Sequence, residues 1–118
     1  MTSLPNQVNF ATAAGSQWAQ TFQFTGVDLT GLSWEFVIRP NVNDTAQPPL
    51  VKVTTTVSAQ GQITVNTTTG TVQVVLTPAA TSLLGMGARP YALWSNPGTT
   101  TATTWCDGTF NTQLAPAP

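Results

Sequence analysis

The chain has 118 residues, of which 41% are apolar and only 6% are charged, with three basic side chains, four acidic ones and no histidine. A chain of this length can bury a core without disulfides or metals, so one folded domain is expected. Three cations are too few for the basic surface that attracts nucleic acid or an anionic membrane, so neither is expected as a partner.

The first 14 residues predict an irregular N-terminal arm. Pro5 and Asn6 interrupt any regular pattern, although the apolar residues Leu4, Val8 and Phe10 are separated by multiples of two positions, as on one face of a strand. This stretch has neither the basic region nor the apolar run of a secretory signal. We therefore expect a protein that is made and folded in a cytoplasm, with an arm that reaches neighbouring proteins.

Two strands with aromatic faces follow the arm. In residues 17–24, one face carries three aromatic side chains and Gln20, and the other carries Ala19, Thr21 and Gln23. Residues 26–31 carry two glycines, an Asp and a Thr that are typical of a turn. The next strand, residues 32–39, ends at Pro40, because proline cannot donate to a sheet. The bulky face of this central strand is formed by Leu32, Trp34, Phe36 and Ile38.

The middle of the chain predicts a loop and three further strands. Asn, Asp and Pro residues crowd residues 41–49, so this stretch is expected to be a loop. Strands are predicted over residues 50–58, 63–65 and 71–76. In the first of these, one side is expected to carry Val51, Val53, Thr55 and Val57. In the last, the inward side chains are expected to be Val72, Val74 and Leu76.

Residues 77–85 predict one or two helical turns, because Thr is a good cap, Pro suits the first helical position and Gly ends a helix. Leu83 and Leu84 are expected to close one end of the core. A strand over residues 88–95, a turn at residues 96–98 and a last strand over residues 103–114 complete the pattern.

Six to eight short strands with turns between them predict an all-β fold, a single antiparallel β-sandwich of immunoglobulin-like or jelly-roll-like form with at most one short helix. The predicted organisation is an arm at residues 1–14, the sandwich at residues 15–114 and a tail at residues 115–118. Thr, Asn, Gln and Ser replace the missing charges on its surface. So little charge favours association with other protein copies.

The residues offer little catalytic chemistry, so no enzyme, cofactor or metal site is expected. Cys106 has no histidine to activate it and is expected to be buried. Asp28 is expected to cap its turn, Glu35 to lie in solvent or in an interface, and Asp107 to precede a hairpin or bulge. Asp44 lies in the long loop, and no two carboxylates have the spacing of a catalytic pair.

The four tryptophans divide into two pairs. Trp18 and Trp34 alternate with other apolar residues and are expected in the core. Trp94 and Trp105 are the candidates for exposure. Exposed aromatic side chains mark protein interfaces or, when they line one groove together with Tyr91, a surface on which a sugar can stack.

The order of motifs resembles a phage β-sandwich domain, the LtfC-like (long tail fibre or baseplate) type of minor virion proteins in actinobacterial phages. Its most specific motif is an Asp-Leu-Thr-Gly turn and an aromatic strand that ends in Arg-Pro, residues 28–40. The other matching motifs are Gly15-Ser16-Gln17-Trp18, residues 71–84, the strand from Tyr91 to Trp94, and Trp105-Cys106-Asp107-Gly108-Thr109-Phe110. Ser16 departs from the family pattern, which has an acidic residue there.

The resemblance covers residues 15–114 and implies a non-enzymatic virion protein, either a minor tail, fibre or baseplate protein or a capsid decoration. Its partners would be other virion proteins and copies of itself. The predicted assembly contacts are Leu4, Val8, Phe10, Trp94 and Trp105. The alternative is a carbohydrate-binding module that contacts a host-surface glycan through its exposed aromatic side chains.

Overall fold

The computed structural model describes residues 6–116 and contains nine strands and one helix within them. In chain order the elements are β1 (Asn6–Gln7), β2 (Phe10–Ala13), β3 (Trp18–Gln23), β4 (Trp34–Ile38), β5 (Val51–Thr54), β6 (Gly61–Asn66), β7 (Thr71–Leu76), α1 (Pro78–Leu84), β8 (Gly87–Ser95) and β9 (Thr103–Gln113). They form two sheets, and the predicted all-β sandwich with one short helix is confirmed.

The larger sheet has the order β1-β9-β8-β4-β5, with β2 following β1 along the same edge of β9. The smaller sheet has the order β3-β7-β6. All pairings are antiparallel apart from those of β1 and β2, which run parallel to β9. The fold is therefore antiparallel except at the edge formed by the N-terminal residues.

The core lies between the sheets, because alternate residues of each strand point inward. Side chains from both sheets meet there: the Trp18 ring of β3 lies 5.7 Å from the Phe36 ring of β4 and 4.9 Å from the Phe110 ring of β9. Trp18 and Trp34 are buried, as predicted. The predicted inward residues of β7, Val72, Val74 and Leu76, are fully buried.

Helix α1 closes one end of the core. The Thr77 hydroxyl accepts a hydrogen bond from Ala80 N at 3.3 Å, and Pro78 occupies the first turn, so the predicted cap is confirmed. Leu84 is fully buried. Leu83 was expected to join it, but this side chain is 55% exposed because it lies on the outer side of the short helix.

Two predictions about individual strands differ from the structure. The strand predicted over residues 50–58 ends at Thr54, so Val57 lies in the connection to β6, where it is 70% exposed and does not continue the buried side of Val51 and Val53. The strand β9 passes straight through Asp107 and Gly108, where a hairpin or bulge was predicted. Its bulge lies nearer its start, between the residues that pair with Leu93 and Trp94.

The irregular arm predicted over residues 1–14 is wrong for residues 6–13, which we call the N-terminal segment. Most of this segment is the edge strand of its own domain, with Phe10 opposite Phe110 and Ala13 opposite Gln113. Its pairing partner is about a hundred positions later in the chain, so local sequence patterns carry no sign of it. Of the predicted tail, residues 117–118 lie outside the described residues.

Candidate functional site

The predicted assembly contacts do not form one surface. Leu4 lies outside the described residues. Val8 and Phe10 belong to the N-terminal segment, Trp94 lies on the outer face of the larger sheet, and Trp105 faces the interior. The four described residues therefore lie in three separate surroundings.

The N-terminal segment is bound to its own domain by backbone and side-chain contacts. Val8 N donates to Asp107 O at 2.9 Å, and the Tyr91 hydroxyl donates to Val8 O at 2.6 Å. The Phe10 ring packs 5.1 Å from the Trp18 ring and 5.3 Å from the Tyr91 ring. Phe10 thus serves the domain's own core, whereas the Val8 side chain is 41% exposed and free to contact another molecule.

Beneath this segment lies the only cysteine of the chain. Cys106 is buried, as predicted, and its Sγ lies 3.1 Å from the Tyr91 hydroxyl oxygen. Burial raises the pKa of the Cys106 thiol, and burial together with the Cys106 contact raises the pKa of Tyr91. Both groups are therefore neutral at pH 7, and neither is prepared to act as a nucleophile or a base.

A bulge in β9 separates the two tryptophans that were expected on the surface. Leu93 pairs with Cys106 and Trp94 pairs with Thr104, so Trp105 is the extra residue. The Trp105 ring turns inward, edge to face with Phe24 at 5.3 Å, and its Nε1 donates to Ser95 Oγ at 2.8 Å. Without the bulge, Trp105 would lie opposite Trp94 on the outer face.

Tyr91 is also on the inner face and is 3% exposed. The structure therefore does not bring Trp94, Trp105 and Tyr91 into one groove, as the predicted stacking surface required. Trp94 alone of the three has its side chain on the outer face of the larger sheet.

Trp94 borders a groove on that outer face. The groove has a volume of about 470 Å³ and lies between the sheet and the loop formed by residues 40–49. Its lining includes Arg39, Asp44 and Asp107, three of the seven charged residues in the chain. Arg39 Nη1 donates to Ala46 O at 2.8 Å and so holds the loop over the sheet.

The carboxylates have distinct surroundings. Asp28 accepts a hydrogen bond from Thr30 N at 3.0 Å, which confirms its capping role and lowers the pKa of Asp28. Glu35 lies on the outer face, 3.7 Å from Lys52 Nζ. Asp44 accepts from Ala46 N at 3.1 Å within its loop. In the described part of the chain, the buried Oδ1 of Asp107 has no hydrogen-bond donor.

Sequence reasoning missed an uncharged outer face on the smaller sheet. None of the residues of β3, β6 and β7 is charged. Three rows cross the face from β3 through β7 to β6: Ala19-Val75-Gln62, Thr21-Gln73-Thr64 and Gln23-Thr71-Asn66. The signal was available in the sequence, because no charged residue occurs between Lys52 and Arg89.

The edges of this sheet are open as well as uncharged. Among residues 6–116, β3 and β6 each have β7 as their only sheet partner. The outer side of β6 is bridged at its first residue, because Gly61 and Ser58 exchange backbone hydrogen bonds, and the rest of that edge has no strand beside it. Natural sheets commonly protect such edges with charged side chains, Pro or bulges. β3 and β6 contain neither charges nor Pro. An extended strand of another molecule can therefore pair with either edge.

Residues 6–116 contain neither a cluster of metal-binding side chains nor a helix that could span a membrane. No three His, Cys, Asp or Glu side chains lie close enough together to hold a metal ion. The helix found there is too short and too polar to cross a membrane. Comparison with protein-family models and with curated proteins finds no match to either.

Proposed function

We propose that this protein is a non-enzymatic structural component of a phage virion, which packs in several copies against other virion proteins. The observation that carries the proposal is the uncharged face and the two open edges of the smaller sheet. The resemblance of residues 28–40 to a domain of minor virion proteins supports the same role. Either a capsid decoration or a minor tail, fibre or baseplate protein fits this description.

The mechanism is contact between neutral surfaces. A row such as Thr21-Gln73-Thr64 can form hydrogen bonds with a neighbouring protein without desolvating a charge. The edges of β3 and β6 add backbone hydrogen bonds when an extended segment of a neighbour pairs with them. Neither interaction depends on a catalytic group, a metal or a cofactor.

The test is to locate the chain in particles purified from the phage that encodes it. Quantitative mass spectrometry should find it in a fixed ratio to the major capsid protein. Cryo-electron microscopy should show a two-sheet density of this size on the capsid lattice, the tail or the fibres. A chain that is abundant in infected cells and missing from purified particles would contradict the proposal.

A carbohydrate-binding role at the host surface is the second candidate function. The predicted platform of Trp94, Trp105 and Tyr91 does not carry it, because their side chains lie on opposite faces of the larger sheet. The observation in its favour is the groove beside Trp94, which combines an aromatic side chain with carboxylate, guanidinium and amide groups.

A further inference from the structure

The floor of the groove is a continuous part of the larger sheet. Val37, Ala92 and Asp107 lie side by side on β4, β8 and β9, because Val37 pairs with Ala92 and Ala92 pairs with Asp107. Trp94 and Thr104 form the next row in the same direction. These residues belong to paired strands, so the floor is a rigid platform of the kind that binding sites require.

The wall of the groove is the loop formed by residues 40–49, which supplies polar side chains. Asp44 and Gln47 line the groove together with Arg39 at the end of β4. The bond from Arg39 Nη1 to Ala46 O uses one of the five N–H groups of the guanidinium, so others remain to donate to a ligand. The wall thus offers both donors and acceptors opposite an apolar part of the floor.

The chemistry of this lining selects the type of ligand. Two carboxylates and one guanidinium line the groove, so an anionic ligand would meet a net negative charge. A purely apolar ligand would leave the polar wall without partners. A pyranose sugar suits both parts, because it has an apolar C–H face for an aromatic ring and hydroxyl groups that donate and accept in several directions.

We propose that this groove binds a neutral oligosaccharide, with one sugar unit packed against Trp94 and its hydroxyl groups bonded to Asp107, Asp44 and Arg39. The inference rests on the second candidate function and is independent of the virion role. The volume of about 470 Å³ is within the range of about 300–1,000 Å³ that is usual for small-ligand sites.

The ligand extends beyond one sugar unit. A second hollow of about 210 Å³ lies along the same face and is bordered by Trp94, Glu35 and Pro97. Trp94, Val37 and Arg39 border both hollows. Trp94 therefore stands between two adjoining subsites, and a chain of two or three sugar units fills both.

Asp107 supplies a carboxylate to the floor of the groove. Its Oδ1 is buried and receives no hydrogen bond from residues 6–116. We therefore assign the contact with a sugar hydroxyl to its other oxygen, Oδ2. A hydrogen bond to a charged acceptor is stronger than one between neutral groups.

The experiment is a titration of ¹⁵N-labelled full-length protein with neutral trisaccharides: maltotriose, cellotriose, mannotriose and N,N′,N″-triacetylchitotriose. The four tryptophans give four indole N–H signals, and the Trp94→Phe variant identifies that of Trp94. We expect at least one trisaccharide to shift the Trp94 indole signal and the amide signals of residues 41–47. The indole signal of Trp34, which is buried, should stay in place.

Two substitutions test the contacts. Trp94→Ala removes the stacking surface and should weaken binding at least tenfold, and Asp107→Asn should weaken it about fivefold. The matched control is Thr67→Ala, which changes an exposed side chain in the turn between β6 and β7 and should leave the affinity unchanged. Unchanged amide spectra of the unliganded variants, away from the substituted residue, show that each one is folded.

Three results would overturn the inference, and they differ in what they say of the carbohydrate function. If a trisaccharide binds but shifts signals away from Trp94 and residues 41–47, the function stands and this site is wrong. If none of the trisaccharides binds, both fail. If Trp94→Ala instead abolishes self-association in analytical ultracentrifugation, the groove is an interface between copies.

Discussion

Gly108 of β9 lies directly against the N-terminal segment. Its φ is +148°, and a Cβ atom at this position would overlap the carbonyl oxygen of Val8. The Val8 carbonyl occupies the space of the missing side chain, where it accepts the hydrogen bond from the Tyr91 hydroxyl. A glycine is therefore required both by the backbone conformation and by the close approach of the segment.

We predict that Gly108→Ala lowers the free energy of unfolding by about 3 kcal/mol, from backbone strain and from the lost hydrogen bond to Val8. Gly98→Ala is the control: its φ is also positive, at +76°, but no heavy atom lies within 4 Å of the added Cβ. This control should cost about 1 kcal/mol. Urea denaturation measures both values, and equal losses would show that the approach of Val8 is unimportant.

Because Tyr91 and Cys106 are buried, we predict that the protein loses stability at alkaline pH. Both folded-state pKa values are raised by burial, so the folded state binds their protons more tightly than the unfolded chain does. Their protonated forms make their full contribution to the free energy of unfolding below the unfolded pKa values, which are about 8.5 for Cys and about 10 for Tyr. This contribution is lost as the pH rises above those values.

The measurement is urea denaturation of the wild type and of Tyr91→Phe between pH 7 and pH 11. Above pH 10, the wild type should lose up to about 1.4 kcal/mol more per pH unit than the variant, because each differential proton contributes that slope. At pH 7 the variant should be less stable by about 1–2 kcal/mol, since Val8 O loses its donor. Parallel pH profiles would refute the assignment to Tyr91.

At the scale of elements, helix α1 fastens the start of β3 to the end of the core. Thr81 is fully buried, and its hydroxyl accepts from Gly15 N at 3.0 Å and donates to Ser16 O at 2.8 Å. These bonds fix the turn through which the N-terminal segment leaves the larger sheet and β3 enters the smaller one. One side chain of the helix thus sets the connection between the sheets.

Thr81→Val keeps the shape of the side chain and removes the hydroxyl, so Gly15 N and Ser16 O lose their partner. We predict a loss of about 2–3 kcal/mol in the free energy of unfolding. Thr64→Val, at an exposed position in β6, is the matched control and should change stability by less than about 0.5 kcal/mol. Thermal and urea unfolding provide the values; a loss as small as the control's would mean that water replaces the hydroxyl.

The alternation of apolar and polar residues predicted those strands that have one buried face and one exposed face. Residues 32–39 and 71–76 carry this pattern clearly, and their inner faces are as expected. The bulge at Trp105 and the parallel pairing of the N-terminal segment were not predictable in this way. Both depend on contacts between residues far apart in the chain, and a single extra residue reverses the direction of a side chain.

At the scale of the whole molecule, charge is unevenly distributed. Six of the seven charged residues lie on the larger sheet or beside its strands, and the seventh, Asp28, lies in the connection from β3 to β4. The strands of the smaller sheet have none. Composition alone predicted a chain suited to assembly, but the uneven distribution depends on which strands share a sheet. The groove was unpredictable for the same reason, because residues 39, 44, 94 and 107 meet only after folding.

A lysine on the uncharged face should prevent assembly without unfolding the domain. We predict that Thr64→Lys lowers incorporation into particles at least tenfold, because a buried, unpaired ammonium group is costly in an interface. Thr100→Lys, in the exposed turn between β8 and β9, is the control for added charge. Complementation of a phage that lacks the gene, followed by mass spectrometry of the particles, measures the effect; equal incorporation of both variants would rule out this face as the contact.

The parallel pairing of the N-terminal segment with β9 also affects the order in which the domain folds during its synthesis. Asn9 Oδ1 accepts a hydrogen bond from Thr109 N, 100 residues later, so the N-terminal segment can pair only after β9 has been synthesised. Until then, the site of Phe10 beside Trp18 and Tyr91 is uncovered. Contacts between such distant residues form slowly, so we expect this edge to close late in the folding of the domain.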